Sequence, residues 1–124
     1  MKQISGKIIR GENIGERLGY PTANFSKRSL GRNKIAKGVY AAKAVLGHKE
    51  YIALLVMGVP GFKRFKKGKI ETYLIGRRDS NYLYGRTLVV KIFKKIRPLK
   101  KYTEEKLLIA RIKKDIKTAR RYFK

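Results

Sequence analysis

The sequence predicts a mainly β domain, a small antiparallel β-barrel closed by one C-terminal α-helix. Three observations carry that prediction. Short strand-like runs alternate with glycine-bearing turns as far as Pro98. After Pro98 the chain shows a single apolar stripe at helical spacing. Its 124 residues are enough for one modest core and too few for a second, so residues 1–124 are expected to form a single domain.

Residues 4–9 (I-S-G-K-I-I) read as the first strand. Gly11, Gly15 and Gly19 then punctuate a loop too rich in glycine for a helix. Residues 38–46 read as a strand, Gly47-His48 as a tight hairpin turn, and residues 50–57 as the returning partner. The longest apolar run, residues 52–57, suits a buried strand. Gly58, Pro60 and Gly61 break the sheet, and a basic loop occupies residues 63–69. Residues 70–75 form another strand, followed by a turn-rich stretch through Gly76, Asp79, Ser80 and Asn81. The last long strand spans residues 86–93, and Pro98 ends that segment. Thr103 is the expected N-cap of the helix, with Glu104 and Glu105 in its first turn, where the helix dipole favours anions. Leu108, Ile112, Ile116, Ala119 and Phe123 form the stripe that would cover the sheet.

Net charge is +25, from 33 basic and 8 acidic residues. Such a surface is open to non-specific polyanion binding. A solvated lysine-rich surface is the plainer reading, because the charge is spread along the chain and no basic block is paired with stacking aromatics in an RNP-like pattern. The hydrophobic fraction of 43% is that of a folded protein, so the charge does not imply disorder. With no cysteine and one histidine, His48, disulfides, zinc–thiolate sites, thiol catalysis and histidine metal clusters are excluded. No apolar run approaches a membrane span and the N-terminus has no signal-peptide core, so a cytoplasmic protein without a membrane partner is expected, acting as a monomer.

The familiar phosphate machinery is missing: there is no G-x-x-x-x-G-K-[ST] loop and no protein-kinase motif set. The candidate that remains is the loop through Gly11, Gly15 and Gly19, whose backbone N–H groups could approach phosphate oxygens, followed by Pro21-Thr22-Ala23-Asn24. Thr22 and Asn24 offer two neutral oxygens, the donor type that magnesium accepts beside substrate phosphates. The alternative is that they only hydrogen-bond a turn. Glu71, one of the 8 acidic residues, alternates with Ile70 and Thr72 and shares a face with Tyr73. It is the candidate base for a substrate hydroxyl, or else a surface carboxylate paired with a neighbouring cation.

These pieces stand in a recognisable order: Leu18 to Asn24 (L-G-Y-P-T-A-N), Gly38-Val39-Tyr40, Glu71 to Leu74, Leu83-Tyr84-Gly85, Ile96-Arg97, and Ile112 through Asp115-Ile116 to Ala119. The arrangement resembles the riboflavin kinase family over nearly the whole chain. That resemblance implies a six-stranded, Greek-key type barrel and transfer of the ATP γ-phosphoryl group to the ribityl 5′-hydroxyl of riboflavin, giving FMN. It implies Mg2+ with ATP, held by Thr22 and Asn24, and Glu71 as the catalytic base. Gly11, Gly15, Gly19 and Pro21 would join Thr22 and Asn24 around the nucleotide, and Arg97 would lie in the flavin-facing loop. Many bacterial members fuse this module to an adenylyltransferase; this chain begins at the first kinase strand and is expected to stop at FMN. Val56 stands where many bacterial members carry asparagine. Two alternatives are a basic RNA-binding barrel, favoured by charge and by Tyr and Phe at 13 positions, and a catalytically weak flavin-binding relative.

Overall fold

The computed structural model describes residues 2–9, 19–20, 22–31, 34–58, 69–77, 83–100 and 102–124. Strands β1 (Lys2–Lys7), β2 (Ala23–Phe25), β3 (Gly38–Leu46), β4 (Lys49–Gly58), β5 (Lys69–Leu74) and β6 (Thr87–Arg97) precede one long helix, α1 (Glu105–Tyr122). A short 3-10 helix, Lys27–Leu30, follows β2. The six strands form one antiparallel sheet in the order β1-β6-β3-β4-β5-β2. Three consecutive strands, β3, β4 and β5, pair as hairpins and β6 returns beside β3, which is the expected Greek key. The sheet curls into a half-barrel, and Ile9, two residues past the end of β1, bridges to β2 where its N–H donates to the Asn24 carbonyl at 2.8 Å.

The centre of the sheet is buried on both faces, which explains its sequence. β3 reads G-V-Y-A-A-K-A-V-L with hardly a polar break because Tyr40, Ala42 and Ala44 face the barrel interior while Val39 and Ala41 face α1. Inside, Ile4, Phe25, Leu55, Leu74, Leu88 and Val90 fill the curl. Outside, Leu54, Tyr73 and Ile75 join Val39 and Ala41 beneath Ala119, Ile112, Ile116 and Phe123. Ala41 and Ala119 are both fully buried, so small side chains let the helix approach the sheet closely. Four of the five predicted stripe residues, Ile112, Ile116, Ala119 and Phe123, therefore form the packing face, and what they cover is the outer surface of β3 and β4.

Details differ from expectation in four places. β1 spans Lys2–Lys7 rather than residues 4–9, and Ile9 forms only an isolated bridge to Asn24. β2 was not anticipated as a strand. β6 runs to Arg97, four residues beyond the predicted end at residue 93. The N-cap position belongs to Glu104, not Thr103, with extended backbone (φ −129°, ψ 139°) and no side-chain cap bond. The β3–β4 hairpin turns at Gly47, whose φ of 61° suits glycine, and pairs Leu46 with Lys49 as expected. Among the described residues no helix is long and apolar enough to cross a membrane.

Candidate functional site

β2 has only three residues, but its register decides the site. It pairs antiparallel with β5 so that Ala23 faces Thr72, Asn24 faces Glu71 and Phe25 faces Ile70. Directly opposed residues project to the same face with Cβ atoms roughly 4.5–5.5 Å apart. Asn24 and Glu71, 47 residues apart in sequence (71 − 24), are therefore immediate neighbours on the outer face.

Asn24 is held on every side but one. Its backbone carbonyl takes the Ile9 N–H, and its side-chain Nδ2 donates to the Thr22 carbonyl at 3.5 Å. The residue is 6% exposed, and its Oδ1 has no hydrogen-bond partner among the described residues. An unmet buried oxygen costs about 1–3 kcal/mol, so its retention asks for a ligand or cation to meet it. Thr22, half-buried, sits two residues upstream at the entry to β2.

Gly19 has φ 87°, and a Cβ built on it would meet none of the described residues within 4 Å. Its glycine is required by backbone conformation. Tyr20, next along, packs edge-on against Tyr73 with centroids 5.5 Å apart and planes at 83°. Tyr73 shares the outer face of β5 with Glu71, and burial, followed by the neighbouring Tyr20, pushes its phenol well above its ordinary pKa. It stays neutral throughout the working range and clamps the loop entry beside Glu71. Its place two residues after Glu71 was visible in the sequence; its partner Tyr20 was not. Gly11, Gly15 and Pro21 lie outside the described residues.

Arg97 belongs to the same cross-sheet row. Its partner on β3 is Val39, Val39 faces Val56 on β4, and Val56 faces Glu71. At strand spacings of 4.7–4.9 Å that places Arg97 about 14 Å from Glu71 along the outer face. Two bulges in β6 make this possible: register shifts between Val39 and Tyr40 and between Ala41 and Ala42 bring Arg97 beside Val39. There Arg97 Nε lies 3.0 Å from both Asp115 carboxylate oxygens, and Nη2 donates to Oδ2 at 2.8 Å. Nη1 donates to the Pro98 carbonyl at 3.2 Å. Arg111 Nε lies 3.3 Å from Asp115 Oδ1. Arg97 thus pins α1 to the sheet. It also lines a cleft of about 550 Å³ with Pro98, Lys100, Tyr102, Leu107 and Arg111. Val56, the residue between Val39 and Glu71, gives the carboxylate an apolar neighbour.

The model of the riboflavin kinase (flavokinase) family matches residues 1–123. The chain belongs to the riboflavin kinase family. It is 34% identical over 97% of its length to a bifunctional riboflavin kinase/FMN adenylyltransferase of Buchnera aphidicola, of which it spans 38%. To an RNA-binding riboflavin kinase of Bacillus subtilis it is 30% identical over 99% of its length, spanning 52% of that protein. A crystal structure described as a macrolide-efflux protein from Streptococcus pneumoniae shares the fold at TM-score 0.81 and 25% identity, over 95% of this chain and 38% of that one. The chain thus spans between a third and about half of these riboflavin kinase relatives.

Proposed function

We propose that this chain is a riboflavin kinase: it transfers the γ-phosphoryl group of ATP to the ribityl 5′-hydroxyl of riboflavin, giving FMN and ADP. The observation that carries the reading is the pairing of Asn24, with its unmet buried oxygen, directly opposite Glu71. Glu71 is the base that accepts the hydroxyl proton, and in a loose phosphoryl-transfer transition state its main work is to orient that hydroxyl. Thr22 and Asn24 fit Mg2+ carried by the nucleotide, since both present neutral oxygens and one of them is orphaned. When bound, the ion would neutralise charge on the phosphates. Gly11, Gly15, Gly19 and Pro21 would shape the nucleotide loop. Arg97 serves the flavin side by holding α1, and with it the wall of the cleft that contains the buried Tyr102 ring.

The test is calorimetric titration with an ATP analogue, with and without magnesium, beside a riboflavin titration. Thr22→Ala and Asn24→Ala should each weaken magnesium-dependent nucleotide binding by roughly ten-fold or more, as expected when a ligand that fixes a metal is lost, and leave riboflavin affinity unchanged. Nucleotide affinity unchanged from the parent in both variants, or independent of magnesium in the parent chain, would show these residues to be turn-formers.

A further inference from the structure

The fold assembles a surface of basic and aromatic side chains away from Asn24 and Glu71. Phe93 comes from β6, and Tyr122 and Phe123 from the end of α1. Phe93 is 39% and Tyr122 45% exposed. The Phe123 ring meets each of them edge-on, at 5.0 Å and near-perpendicular planes in both pairs. Cations hang over the rings: Lys43 Nζ lies 5.1 Å from the Phe123 centroid and Lys94 Nζ 6.0 Å from that of Tyr122. A groove of about 380 Å³ runs alongside, lined by Ala41, Lys94, Ile96, Thr118, Arg121 and Tyr122.

The charge around this patch has one sign. β6 contains no acidic residue, and α1 contains none after Asp115, which is buried against Arg97. The same end of the chain supplies Lys117, Arg120, Arg121 and Lys124. Glu50 stands at the border, 3.6 Å from Lys43 and 3.8 Å from Lys91. Cations alone would be served by water, and aromatics alone would suit an apolar partner. Both together match a chain that offers a π face and a phosphate in each repeat, which is the chemistry of a single-stranded nucleic acid. A duplex hides its base faces and could use only the cations.

We propose that the face formed by Phe93, Tyr122 and Phe123 with Lys94 and Arg121 binds single-stranded RNA with little sequence preference. β3 and β4 lie between β6 and the β5–β2 pair, so this surface is separate from Glu71 and Asn24; Arg97, at the end of β6, turns instead to Asp115 and the other cleft.

The experiment is fluorescence anisotropy of the full chain with a labelled oligouridine of about twelve nucleotides, a length within the range that one small barrel covers. Titrations run from about 50 to about 200 mM salt. Phe93→Leu and Tyr122→Leu keep apolar bulk but remove the stacking face, and each should weaken binding roughly 5- to 150-fold. Lys94→Gln and Arg121→Gln should each flatten the logarithmic salt slope by about 0.7, the value for one phosphate contact on a single strand. Lys106→Gln, on the first turn of α1, should do neither. Thermal melts and riboflavin phosphorylation, measured on the same samples, should match the parent chain. Should a leucine variant melt early, the two charge variants and a duplex of equal length decide the matter. The proposal is overturned if the leucine variants bind like the parent, if Lys106→Gln matches Lys94→Gln, or if the duplex binds as tightly as the single strand. It also falls if phosphatidylserine vesicles bind more tightly than the oligouridine through the same residues, since the face would then be a membrane surface.

Discussion

Replacing Glu71 with glutamine is expected to lower kcat for riboflavin phosphorylation by about 10²–10⁴, the usual contribution of a positioned base. That corresponds to roughly 3–5 kcal/mol of transition-state stabilisation. Glutamine keeps the shape of the side chain beside Asn24 and Val56 but cannot take the hydroxyl proton. Riboflavin and nucleotide affinities should therefore stay close to those of the parent chain, and the loss should appear in kcat. Steady-state kinetics at saturating substrates check it. A Glu71→Gln enzyme with nearly full kcat would remove Glu71 from the chemistry.

The second large effect concerns stability. Asp115 is 2% exposed and the Arg97 side chain 12%, so Asp115→Ala leaves a guanidinium largely buried without its carboxylate. Breaking a buried pair from one side costs about 3–5 kcal/mol. For a domain of this size that lowers Tm by on the order of 10–20 °C. Exposed ion pairs contribute only about 0–1 kcal/mol, so the size of the loss distinguishes the two environments. Replacing both partners together, Arg97→Met with Asp115→Leu, should recover much of the stability because neither charge is then stranded. An Asp115→Ala chain that melts within a degree or two of the parent would show the pair to be incidental. The same variant probes the cleft: if Arg97 and Asp115 hold its wall, riboflavin affinity should fall even where the fold persists.

Much of the architecture was legible because local and global signals agreed. The β3–β4 hairpin was read from two apolar runs about a Gly47-His48 turn, and α1 from its stripe. The missing pieces were non-local. β2 has three residues with asparagine at its centre, and it becomes a strand through pairing with β5, 47 residues away (71 − 24). The same pairing brings Asn24 to Glu71, so the sequence could name both residues but not their contact. The end of β6 was lost because two bulges, at Phe93 and Ile96 on either side of the Lys94-Lys95 pair, break its alternation. Thr103 was the better capping residue by type, but the backbone enters the helix one residue later, at Glu104. The Arg97–Asp115 pair was hidden among 33 cations, any of which could have partnered that carboxylate. The aromatic patch was hidden for a related reason, since Phe93 and Phe123 meet only when α1 lies across the sheet.

The most direct test of the riboflavin kinase reading follows the product. Purified chain is incubated with riboflavin and magnesium-ATP, the flavins are separated by chromatography, and ADP is measured in the same samples. The account predicts FMN that accumulates with repeated turnover, one ADP for each FMN, and no product when magnesium is chelated. Riboflavin that binds the protein but returns unphosphorylated, with ATP intact, would contradict it and leave a flavin-binding relative without kinase activity.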